Sequence, residues 1–131
     1  MVAVAARAGG RRGGMRAGDV ARIPIAQVVI ELVEALGPRL VAYVGGVSHT
    51  KFVRSWREGT AAPRGRREDA LRAALQATRI LLAAESPLVA QAWFTGANTH
   101  LDLEAPAAVL REASSPDQVT KVVRAANAFV S

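Results

Sequence analysis

By type and spacing, His100, Asp102 and Glu104 come closest to a metal-binding set, since imidazole and carboxylate groups are ligands for divalent cations. On an extended segment their alternation would bring three donors to one side. Ligands at i, i+2 and i+4 match no established metal-site spacing, and the other histidine, His49, is remote in sequence. Covalent catalysis has less still to work with. The chain has no cysteine and two histidines, and it lacks a G-x-S-x-G elbow, a P-loop and a G-x-G-x-x-G turn. No enzyme, cofactor or metal site is expected.

The chemistry the sequence does offer is recognition of a polyanion. The stretch Gly37 to Gly59, GPRLVAYVGGVSHTKFVRSWREG, reads as two short helices joined by a glycine turn. Leu40, Val41 and Val44 give the first an apolar stripe, and Gly45-Gly46 supply the backbone freedom for a tight turn. Ser48 is the expected N-cap of the second helix. Within it His49, Phe52, Val53 and Trp56 recur at spacings of three and four, predicting one buried face, and Gly59 provides the stop. Thr50, Lys51, Arg54, Ser55, Arg57 and Glu58 fall elsewhere on the helix. Arg64, Arg66 and Arg67 follow at the start of the next helix, where three cations oppose the helix dipole, a local cost that bound phosphates would offset. The candidate DNA contacts are therefore Thr50, Lys51, Arg54, Ser55, Arg57, Arg64, Arg66 and Arg67. A cationic face that is merely solvated is the competing reading.

The elements that position these groups follow from composition and periodicity. Half the residues are hydrophobic but only 5% are aromatic, a balance that suits closely packed, alanine-rich helices. The net charge of +6 is unevenly spread. Residues 1–24 carry five arginines against one aspartate, and residues 48–72 carry seven cations against three acids, whereas residues 85–131 are net acidic. A polyanion is thus expected at the basic end and a protein partner at the other. No apolar run is long enough for a membrane span, and no apolar stretch of the signal-peptide kind follows the N-terminal arginines, so a cytoplasmic location is expected.

Residues 1–24, rich in Gly, Ala and Arg, read as a flexible basic arm. Ile25, Val28, Val29, Leu32, Val33 and Leu36 then spell an amphipathic helix. A long helix is expected over 66–85, with Leu71, Leu75, Thr78 and Leu82 along one face. Ser86-Pro87 opens a new helix, Pro106 another, and Ser115-Pro116 a last one running to the end. The expected organisation is a helix-turn-helix region over 25–85 and a small helical region over 86–131, all-α throughout. In the second region Trp93, Phe94, Phe129 and Val130 are the candidate interface anchors, being large apolar groups near a loop or a chain end.

Two features resemble the Xre/MbcA/ParS-type antitoxins of bacterial toxin–antitoxin systems. The first is Val53-x-x-Trp56-x-x-Gly59 closing a helix-turn-helix, followed by a loop containing Pro63 and a long helix. The second runs from Trp93 through Asn98, Leu101, Pro106, Leu110 and Val119 to a final helix ending Ala126-Asn127-Ala128-Phe129-Val130. Their order and separation are similar to that family's DNA-binding and toxin-binding modules. This chain departs from the pattern in the position of Ser48, in Leu103 where glycine is common, and in Ala128 near the end. The resemblance implies a protein that represses its own operon and neutralises a RES-domain, NAD-consuming toxin by covering its active-site cleft. It implies operator DNA and the toxin as partners, a homodimer or a toxin–antitoxin hetero-oligomer, and Asn98 and Leu101 as further toxin contacts. A stand-alone helix-turn-helix regulator with a dimerising C-terminal region is the alternative.

Overall fold

Abundant alanine and few aromatic rings call for helices that approach closely, and the chain is all-helical over residues 17–131, which the computed structural model describes. A 3-10 turn at Ala17–Arg22 leads into α1 (Ile25–Leu36), α2 (Pro38–Val44) and α3 (Thr50–Glu58). Then come α4 (Arg66–Leu82), α5 (Pro87–Thr95), a short 3-10 turn at Thr99–Leu101, α6 (Pro106–Glu112) and α7 (Pro116–Val130). No helix among the described residues is long and apolar enough to cross a membrane.

Helix α4 is the centre. The N-terminal turn, α1, α2, α5, α6 and α7 all pack on it, α7 most extensively. Ala70, Ala73, Ala74 and Ala77 of α4 are buried, as are Ala125 and Ala126 of α7. Small side chains on both helices let their backbones approach, while Leu71, Leu75 and Leu81 fill the remaining space, each contributing about 1.5–3 kcal/mol by burial. Thr78 belongs to this core because its hydroxyl donates to the Ala74 carbonyl at 2.7 Å, which satisfies that buried group. Leu82, expected on the inward face, ends the helix and is exposed, and Leu81 takes the inward position.

The predicted α1 appears at its expected bounds, with Val28, Val29 and Leu32 fully buried. Glu31 on its flank forms a two-bond ion pair with Arg79 of α4, both contacts at 2.8 Å. That bond, with Asp19 adding to the negative field, holds the Arg79 guanidinium still more firmly protonated against the cost of its burial.

Two sequence expectations change here. Residues 1–16 lie outside the described residues, but 17–24, assigned to the flexible arm, are built into the fold. Val20 is 1% exposed, and Arg72 Nη1 donates to the carbonyls of Val20 (2.9 Å) and Ile23 (2.7 Å) while its Nε bonds Glu68. An arginine 52 residues away supplies the anchoring that local composition lacks. Nor does the division at 85/86 interrupt the packing. One continuous cluster of buried side chains includes Leu32, Val53 and Leu75 together with Phe94, Leu110 and Val122.

Candidate nucleic-acid interface

The turn between α2 and α3 is closed by backbone bonds. Gly46, at φ +76°, lets its N–H reach the Tyr43 carbonyl (3.1 Å) and the Val47 N–H reach the Ala42 carbonyl (3.0 Å). This is the pair of bonds that ends a helix in a left-handed residue. Gly45 is needed for a different reason. A Cβ there would stand 2.9 Å from Trp56 Cζ3 and 3.0 Å from Cη2, so the absence of a side chain is what lets the indole lie against the turn. Gly59, at φ +78°, repeats the closure at the end of α3, with its N–H bonded to Trp56 O and that of Thr60 to Ser55 O.

Val53 and Trp56 are buried as expected, but two of their predicted companions are not. His49, not Ser48, is the N-cap: its Nδ1 accepts from the Lys51 N–H at 3.0 Å, and its backbone is extended. The turn is one residue longer than a serine cap would require. Phe52 is 41% exposed, with the Lys51 ammonium 5.4 Å from its ring centroid. Val53 and Trp56 already occupy the space between α1, α2 and α3, which leaves the ring at the edge of the buried face.

The candidate DNA-contacting residues divide into three groups. Lys51, Arg54, Arg57 and Arg64 are exposed, and no hydrogen bond or ion pair ties their charged groups to other described residues. Thr50 and Ser55 are half-buried, and the Ser55 hydroxyl donates to the Lys51 carbonyl at 3.3 Å. Arg66 and Arg67 are also exposed: Arg66 is partly committed, its Nη1 donating to the Ala113 carbonyl at 3.2 Å, and Arg67 Nε lies near the turn, 3.6 Å from where a Cβ on Gly46 would stand. Arg67 thereby brings a cation from α4 to the α2–α3 turn. Arg111, which the sequence reading passed over, stacks on Tyr43 at 4.7 Å and donates to its carbonyl at 2.7 Å, tying α6 to α2. A carbonyl-seeking arginine carries no local signal that would have marked it.

The C-terminal candidates are divided by burial. Trp93 and Phe94 meet edge to face at 5.0 Å inside the core, and Leu101 is buried beside them in the same cluster. As large apolar groups they were expected to serve as surface anchors; the core takes them instead. Asn98 is also committed within the chain, its Oδ1 accepting from the His100 N–H at 2.9 Å to cap the short 3-10 turn. Phe129 remains 48% exposed and Val130 half-buried. Val89, Ala92, Trp93, Ala97, Ala125 and Phe129 line an open groove of about 420 Å³. Trp93 Nε1 is buried and meets no acceptor among the described residues. A neighbouring open cleft of about 520 Å³ is lined by His100, Asp102, Glu104, Glu112, Lys121 and Arg124, acids on one side and α7 cations on the other. Its side chains form no cluster placed to hold a metal ion among the described residues. Comparison with family models, with curated proteins and with solved structures finds no match to this chain.

Proposed function

We propose that the chain is an antitoxin and autorepressor, binding operator DNA through α2 and α3 and neutralising a RES-domain toxin through its C-terminal surface. The observation that carries the first half is α3 itself. Val53 and Trp56 fix one side of the helix, while Lys51, Arg54 and Arg57 stand exposed on the remainder with no ion pair among the described residues, and Arg64 follows. A helix held rigidly by its apolar side and presenting donors from its first turns is the form that enters a major groove. Arg67 beside the turn and Arg64 at the start of α4 suit phosphates flanking that groove. The toxin half rests on the family resemblance together with the exposed Phe129 and the groove beside it.

Mobility shifts on the DNA upstream of its own gene test the first half. Arg54→Ala is expected to cost about 1–3 kcal/mol of binding and to relax preference at one base position. Unchanged affinity in a folded variant removes α3 from the account. Coexpression with the product of the adjacent gene tests the second half, through copurification and rescue of growth and NAD level. A stand-alone regulator is favoured instead by the packing of α7 on α4, which gives the C-terminal helices a structural role without any partner. It predicts a dimer that binds DNA and captures no toxin.

A further inference from the structure

Phe52 is the third residue of α3, with Lys51 over its ring, and it stands half in solvent where spacing assigns it to the core. We propose that Phe52 reads a thymine methyl group in the major groove, an inference that rests on α3 being a recognition helix. The residues of such a helix that reach base edges are those of its N-terminal turns, where Phe52 lies. Among the groups that base pairs display in the major groove, the thymine C5 methyl is the apolar one, and phenylalanine is among the side chains that contact it. The ring cannot hydrogen-bond a phosphate, so it adds nothing to non-specific binding. Its contribution is discrimination.

Tyr43 makes the contrast. It is also exposed, but Arg111 stacks on its ring and bonds its carbonyl, which commits that aromatic group to holding α6 against α2. Among the described residues no comparable stacking cation from another element meets Phe52. Lys51 of the same turn stands over it, and among the described residues that ammonium carries no ion pair. Ring and ammonium are thus presented together: the cation suits a phosphate or a guanine edge, and the ring suits an adjacent thymine. Covering the ring with a methyl group on binding removes apolar surface from water that the folded chain alone leaves exposed.

The test uses the full chain and the tightest duplex selected from a random-sequence pool, with each thymine replaced in turn by deoxyuridine. That exchange deletes one methyl and leaves every hydrogen-bonding group in place. Wild type is expected to lose about fourfold in affinity at one thymine per bound α3, the worth of one methyl group withdrawn from water. Phe52→Ala is expected to bind the thymine duplex more weakly and to show no further loss on deoxyuridine exchange at that position. Circular dichroism and melting curves establish that the variant is folded, and the exchange series on wild type stands even if it is not. Affinity indifferent to every exchange overturns the proposal and leaves DNA binding intact. Equal sensitivity in wild type and Phe52→Ala overturns it too, since another side chain then reads the methyl. Failure to select any duplex overturns the DNA reading and this inference with it.

Discussion

Gly45→Ala is the most economical test of how the two halves of the α2–α3 unit are fitted together. Gly45 sits at φ −75° and ψ −1°, a conformation alanine adopts freely, so the backbone raises no objection. By itself the substitution should help, because alanine restricts the unfolded chain and typically adds about 0.4–1 kcal/mol at a compatible site. The contact reverses that sign. A Cβ 2.9 Å from Trp56 Cζ3 and 3.0 Å from Cη2 is well inside the distance of about 3.5–4.0 Å at which carbon atoms attract. Trp56 is 5% exposed and packed in the core, so the ring cannot swing aside into solvent. Overpacking of this kind costs about 1–3 kcal/mol, leaving a net loss of roughly 0–2.6 kcal/mol and a melting point lower by up to several degrees. The decisive measurement is a double-mutant cycle with Trp56→Phe, which removes the outer part of the indole and carries its own cavity cost. In that background Gly45→Ala should be neutral or stabilising, giving a coupling of about 1–3 kcal/mol. Gly46→Ala is the control. It is strained by its positive φ whatever stands nearby, and it faces Arg67 rather than Trp56, so its cost should add independently. Additive behaviour of Gly45→Ala and Trp56→Phe, with coupling below about 0.5 kcal/mol, would refute the fitted contact.

Leu103 is 67% exposed and holds φ +69°, so Leu103→Gly should relieve left-handed strain of about 1 kcal/mol or more; a melting point that fails to rise would show the loop to be free of it. Arg72→Met keeps most of the side-chain volume but strips the Ile23 carbonyl of its partner, worth about 1–3 kcal/mol when left unmet, and leaves the Val20 carbonyl with the Ile23 N–H alone. Hydrogen exchange should then accelerate over residues 17–24 first, and uniform exchange across the chain would disprove the local anchoring. Deleting Phe129–Ser131 should lower the melting point modestly, because Phe129 is about half exposed and Val130 is only partly buried against the core, yet weaken the proposed toxin neutralisation. Full protection by the truncated protein would move the proposed interface away from the end of α7.

What could be read from the sequence was what neighbouring residues decide among themselves. The apolar spacing from Ile25 to Leu36 gave α1, and Gly46 and Gly59 marked the ends of α2 and α3 because left-handed closure depends on a few adjacent backbone groups. Ser86 caps α5 through its bond to the Val89 N–H, as local rules predict. The departures arise where a distant element decides. Val20 is held by Arg72, and Phe52 is left half exposed while Val53 and Trp56 of the same helix are buried. Trp93 and Phe94 were assigned to an interface because they precede a loop, yet the junction of α5 with α1, α4 and α6 draws them inward. His49 escaped notice as a cap because histidine offers an acceptor there only in the tautomer that leaves Nδ1 unprotonated.

The division of labour proposed along the chain has to be reconciled with a core that does not divide. Helix α4 packs on α7 as well as on the N-terminal helices, so residues 25–85 alone would leave the apolar surface that α7 covers facing water. Arg66 reaches the carbonyl that ends α6, and Arg111 of α6 reaches the carbonyl of Tyr43 in α2, two bridges running in opposite directions between the regions. Arg66 therefore cannot be treated as a phosphate contact and nothing else, because its removal also frees the Ala113 carbonyl. Arg54 carries no such second duty among the described residues. A loss of DNA affinity on Arg54→Ala speaks for recognition, whereas the same loss on Arg66→Ala mixes recognition with the seating of α6. The proposed separation between a DNA face and a toxin face would lie in which side chains remain exposed without a partner among the described residues, at α3 on one side and Phe129 on the other, and not in a boundary of the fold.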